Sequence, residues 1–229
     1  MITAPPLARA LVAEVIGTFA LVFAGCGAIM VDAKTHQLGH IGVAFSFGLV
    51  IMFGIYAVGH ISGAHFNAAV TLAFALTRHF PWPRAFAYWA AQFIGALAAA
   101  ALLRGSLGNI ANVGATYPSG SNGQSFLWEV VMSAFLMFVI LAVATDTRAV
   151  GEAAAIAIGG TIGLDAMFGG PISGASMNPM RSLGPGLVSG DLHAIWIYLL
   201  APLVGTAIGG LAYQFVRGEP TRIVSAGDS

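Results

Sequence analysis

Residues 61–67 read I-S-G-A-H-F-N and residues 172–178 read I-S-G-A-S-M-N, so Ile61 is matched by Ile172, Ser62 by Ser173, Gly63 by Gly174, Ala64 by Ala175 and Asn67 by Asn178. Each copy opens polar and glycine-bearing, then runs into a short apolar stretch, 68–77 or 179–188. Neither stretch reaches the roughly 20 residues that a spanning helix needs. Short, glycine-interrupted segments at corresponding places in two halves of a membrane protein point to a site at the bilayer midplane. The function of the chain is therefore expected where the two copies meet.

Working outward, the chain is 58% apolar and 8% charged, against about a quarter charged in soluble proteins. That composition predicts an integral membrane protein with several spans. Nine basic residues balance nine acidic ones, which leaves no basic face for nucleic acid and no acidic tail. Cys26 is the only cysteine and has no partner for an intrachain disulfide. Residues 1–30 have some signal-peptide character, but Glu14 interrupts the apolar run and 15–31 continue past any signal core, so a first transmembrane helix is expected.

Segments at about 8–31, 40–59, 84–104, 126–145, 153–170 and 192–216 are long and apolar enough to span. Turn-rich or charged breaks such as P-W-P-R, G-A-T-Y-P-S-G-S-N-G and D-T-R-A-V-G-E separate them. The short stretches fall between spans two and three and between spans five and six. Two halves with an odd number of spans must lie in opposite orientations, which makes the chain a single domain with an inverted repeat, about 8–104 and 126–216. Of the basic residues, Arg9, Arg78, Arg84, Arg148, Arg217 and Arg222 fall on one side and Lys34, Arg104 and Arg181 on the other. The excess predicts both termini in the cytoplasm. The pairs Gly159–Gly163 and Gly205–Gly209, and more weakly Gly95–Ala99, have the spacing of close helix contacts.

Irregular backbone at membrane depth survives only where it is buried in protein or lines water. Each insert offers free carbonyls over 62–66 or 173–177, and its Asn can cap a half-helix. Inverted symmetry would aim both positive helix ends at the bilayer centre. A neutral molecule's oxygen is favoured there and cations are repelled, with Asn67 and Asn178 adding side-chain N–H donors.

The Asn-centred repeat, the six spans and the M-N-P-M-R-S run resemble the aquaporin, or major intrinsic protein, superfamily over essentially the whole chain. Its two Asn-Pro-Ala triplets here read Asn67-Ala68-Ala69 and Asn178-Pro179-Met180. The stretches G-H-I-S-G-A-H-F-N, P-S-G-S, V-A-T-D-T-R-A-V-G-E and G-P-I-S-G-A-S-M-N-P-M-R-S-L-G-P look like the nodulin-like intrinsic protein branch, which passes small neutral solutes. The resemblance implies an all-α fold of six spanning helices and two re-entrant half-helices. It also implies an outer selectivity filter at Phe47, Ala166, Ala175 and Arg181, support of the inserts by Glu14 and Glu129, and a homotetramer in the cell membrane. Two alanines in that filter favour glycerol-sized solutes, boric and arsenous acid among the branch's cargo. Placing Ala166 depends on a loop expected before Pro171, and Met180 is expected to add bulk at mid-pore.

Further readings concern residues outside the filter. His60 and His65 flank the first insert and suit pore lining or loop packing better than metal binding. Asp165 either bonds neighbouring backbone or touches the outer vestibule. Trp82, Trp128 and Trp196 read as interfacial anchors, and Asp146, Arg148 and Glu152 form a loop able to bear on gating. The expected activity is passive passage of water and small uncharged solutes, with no cofactor and no covalent chemistry. Its rivals are a strict water channel, an ion-coupled transporter using the Glu pair, and, weakest, an enzyme.

Overall fold

The structure, a computed structural model, describes residues 6–145 and 153–218. Asp146, Arg148 and Glu152 of the expected gating loop, together with Arg222, lie outside the described residues. The long helices are α1 (Leu7–Thr35), α2 (Gly39–Ser62), α4 (Trp82–Leu107), α6 (Asn122–Thr145), α7 (Ala154–Ser173) and α9 (Ile195–Arg217). All six are long and apolar enough to cross a membrane. Between them lie the half-helices α3 (Ala68–Leu76) and α8 (Pro179–Ser189), and α5 (Ala111–Gly114), a short turn with left-handed residues at Ala111, Asn112 and Val113.

The packing follows the repeat. In the first half α1 packs on α4 and α2, in the second α6 packs on α9 and α7, and α2 against α7 joins the halves. The half-helices cross over: α3 contacts α9 as well as α4, and α8 contacts α4 as well as α9. Lipid gives helices no hydrophobic reason to associate, so contact depends on close backbone approach. At the α2–α7 seam a Cβ on Gly48 would stand 2.6 Å from the Gly159 carbonyl oxygen, and one on Gly159 equally close to that of Gly48. Gly209 is pressed onto the backbone of Ala134 in the same manner. The glycines read from sequence as packing residues sit in these seams.

Several boundaries differ from expectation. α1 runs on to Thr35, because Asp32 and Lys34 stay helical at the membrane edge until left-handed His36 (φ 56°) ends the helix. α7 was expected to stop at 170, before a loop leading to Pro171; it continues through Pro171 to Ser173. A proline this near a helix end removes one hydrogen bond, that of the carbonyl four residues back. The helix therefore survives, and the Ala166 placement needs no loop.

Candidate functional site

The two inserts have the same backbone. Gly63 (φ 86°), Ala64 (φ 50°) and Phe66 (φ 48°) are left-handed in the first, and Gly174 (φ 86°), Ala175 (φ 43°) and Met177 (φ 52°) in the second. Left-handed conformation costs an L-residue about 1–2 kcal/mol, so something must hold it. Glu14, fully buried on α1, accepts from Ser62 Oγ at 2.8 Å, His65 N at 2.9 Å, Phe66 N at 2.8 Å and Gln92 Nε2 at 2.8 Å. Glu129, fully buried on α6, accepts from Ser173 Oγ at 2.7 Å, Ser176 N at 2.8 Å and Met177 N at 2.8 Å. Each carboxyl thus collects the inward-turned donors of one insert and leaves its carbonyls facing the other way.

Asn67 and Asn178 each cap a half-helix. Asn67 Oδ1 accepts from Ala69 N at 2.9 Å, and Asn178 Oδ1 from Met180 N at 3.0 Å. Their amide nitrogens then cross the pseudo-twofold: Asn67 Nδ2 donates to the Met177 carbonyl at 2.7 Å and Asn178 Nδ2 to that of Phe66 at 2.8 Å. A side-chain amide has two N–H groups, so one on each Asn is spent stitching the halves together and one is left over. Ala68 and Ala69 are buried, and their carbonyls accept from Trp89 Nε1 and Thr206 Oγ1. Pro179 is buried at the first position of α8, where a fixed φ suits the helix.

A cavity of about 280 Å³ runs along this junction, from Gly59 to Arg181. Its lining combines aliphatic residues, Leu21, Ile55 and Ile162 among them, with Ala64, His65, Asn67, Ser176 and Asn178 of the inserts. Phe47, Ala166, Ala175 and Arg181 are all among its lining residues. Arg181 is only 2% exposed; its Nη1 donates to the Gly114 carbonyl at 2.9 Å, and Cζ lies 4.9 Å from the centre of the Phe47 ring. Gly114 opens the turn-rich break of 114–123 and ends α5, which packs against α1 and α8.

Several expected site residues stand elsewhere. Met180 does not line the cavity; it is half-buried against the apolar core, because α8 turns its second residue away from the axis. The acceptor ladder is shorter than expected: Tyr88 Oη donates to the Ser62 carbonyl at 2.8 Å and Tyr198 Oη to that of Ser173 at 2.7 Å. With Phe66 and Met177 taken by the asparagines, carbonyls 63–65 and 174–176 remain. His60 is exposed, whereas His65 is buried with Nδ1 3.0 Å from Thr71 Oγ1, so the two do not converge. Asp165 neither bonds backbone nor lines the cavity: it is fully buried on α7, and neither carboxyl oxygen has a partner among the described residues. Trp82 and Trp196 are exposed, while Trp128 is half-buried against Phe168.

Sequence reading missed the tyrosine pair, the His65–Thr71–Gln92 set and its counterpart Ser176–Ser182–Thr116. For His65 and Ser176, and for Thr71 and Ser182, the repeat offset was the available signal. The Gly114 carbonyl had none, because a backbone acceptor leaves no trace in residue type.

The family model for major intrinsic proteins matches residues 1–213. Aquaporin NIP1-1 of Oryza sativa subsp. japonica is 48% identical over 228 residues, covering 98% of this chain and 80% of that protein. Nodulin-26 of Glycine max is 50% identical over 214 residues, covering 93% and 79%. The X-ray structure of the aquaglyceroporin from Plasmodium falciparum superposes with a TM-score of 0.79 at 26% identity, over 91% of this chain and 96% of that one.

Proposed function

Because this chain belongs to the major intrinsic protein family and is a channel for water and small solutes such as glycerol, we propose that Phe47, Ala166, Ala175 and Arg181 are its selectivity filter. We infer from them a pore for polyols and for small uncharged hydroxylated acids such as boric and arsenous acid. The observation that carries this reading is the make-up of these four residues. Two methyl side chains, which take up little width, share the lining with Arg181, whose guanidinium is held by Gly114 and backed by the Phe47 ring. An alcohol backbone slides on the aromatic and aliphatic side chains while its hydroxyls exchange partners among the polar groups. Those partners are Arg181, carbonyls 174–176, the spare N–H of Asn178 and Asn67, and carbonyls 63–65. Selectivity by pore width, lining donors and acceptors, and an electrostatic barrier needs no bound cofactor.

Ions meet three obstacles. The positive ends of α3 and α8, worth about half a charge each, abut at the two asparagines. Arg181 adds a full charge, and the aliphatic side chains offer no replacement for a hydration shell. In this reading Glu14 and Glu129 serve the inserts and do not relay protons, since their oxygens are spent on insert donors.

We further propose a homotetramer in the cell membrane with both termini in the cytoplasm. Arg9, Arg78, Arg84 and Arg217 share the end opposite the filter, which is the basis for that orientation.

Stopped-flow light scattering on proteoliposomes tests the filter, with water, glycerol and boric acid compared against empty liposomes. Fast flow of all three is the expected result. Water flow without glycerol flow would refute the wide filter and make Phe47 the limit.

A further inference from the structure

α7 stays helical through Pro171, and proline has no N–H for the carbonyl four residues back. The carbonyl so orphaned is that of Met167, the residue after Ala166. His40, in the first turn of α2, reaches it: Nε2 lies 2.7 Å from the Met167 carbonyl oxygen. A carbonyl can only accept, so Nε2 carries the proton and donates. Gly170 leaves room for this, since a Cβ there would stand 2.7 Å from His40 Cε1.

His40 is itself held in place. Asp32, in the last turns of α1, accepts from Gly39 N at 2.8 Å and from Leu38 N at 3.1 Å. Bonds therefore run from α1 through the start of α2 to the backbone beside Ala166. The first half does not need such a brace to complete its helix. The residue matching Pro171 there is His60, which has an N–H, so α2 completes its own ladder.

We propose that His40 is a specificity-determining positioning residue. Its hydrogen bond to the Met167 carbonyl fixes the proline-interrupted end of α7 and so sets how far Ala166 stands from Phe47 and Arg181. The inference rests on Ala166 being a filter residue.

The test measures water and glycerol permeability per reconstituted channel for His40→Ala, His40→Gln, Pro171→Ala, the double variant His40→Ala/Pro171→Ala, and Ala166→His. Loss of one hydrogen bond is expected to shift the glycerol-to-water ratio roughly two- to fivefold in His40→Ala. His40→Gln keeps an N–H donor and should stay near the parent ratio. Pro171→Ala restores the helical partner of Met167, so adding His40→Ala to it should change nothing further, and the repaired helix keeps this comparison available if His40→Ala alone folds poorly. An unshifted ratio in His40→Ala, an equal fall of both permeabilities, or a full shift persisting on the Pro171→Ala background would each overturn the role of His40. Ala166→His should cut glycerol flow and spare water. If glycerol flow is unchanged there, the filter reading itself fails, whatever His40 does.

Discussion

Replacing Arg181 by Val removes a charge that is nearly sealed from solvent, 2% exposed, on a pore otherwise walled by neutral groups. A cation passing the guanidinium at the distance of the Phe47 ring, 4.9 Å, is opposed by about 3 kcal/mol at an effective dielectric constant of ~20. At ~1.4 kcal/mol per tenfold, that is roughly a hundredfold in cation flux. The helix ends at Asn67 and Asn178 remain and keep part of the barrier, so the expected rise is on the order of ten- to a hundredfold. The change also leaves the Gly114 carbonyl without its Arg181 donor. The assay is decay of an imposed pH gradient across proteoliposomes carrying an internal pH dye, with valinomycin clamping the potential. Arg181→Lys retains the charge without the fork and should stay near the parent leak while glycerol selectivity changes. If Arg181→Val leaks no more than the parent and keeps its glycerol-to-water ratio, the placement of Arg181 in the filter is wrong.

Phe47→Ala should raise flow of a larger polyol such as erythritol by roughly tenfold, the scale on which pockets discriminate a few carbons; unchanged erythritol swelling rates would remove Phe47 from the constriction. Met180→Ala should leave water and glycerol permeability within roughly twofold of the parent, because the side chain packs into the core, and a large gain measured by stopped flow would put it back in the pore. Glu129→Ala strands the donors of Ser173, Ser176 and Met177 at about 1–3 kcal/mol each. A marked drop in melting temperature in detergent is expected, with Glu129→Gln in between; a melt equal to the parent's would mean that the second insert holds its shape without the carboxyl.

Much of the architecture was legible because it rests on patterns that hydropathy and repetition preserve. Six apolar runs, two short interrupted ones and a constant offset between the Asn-bearing inserts imply an inverted repeat in any membrane that hides no unpaired backbone. Identity at Ser62 and Ser173, and at Asn67 and Asn178, likewise located the inserts. Their caps follow from local chemistry, since an Asn before a half-helix meets donors two and three residues on.

Contacts between residues far apart in sequence were decided by the tertiary structure. Whether the Ser62 and Ser173 carbonyls were free depended on Tyr88 and Tyr198, each more than a helix away. That Met180 faces the core, that Gly114 returns to hold Arg181, and that Pro171 stays inside α7 were equally hidden. In each case a backbone carbonyl or a helix phase carries the outcome, and every residue type has the same carbonyl. Sequence by itself determined which segments enter the membrane and which residues sit at the turning points. The fold decided which polar atoms remained unspent to face a passing solute, because hydrogen-bond satisfaction is settled by whichever partners packing brings within reach.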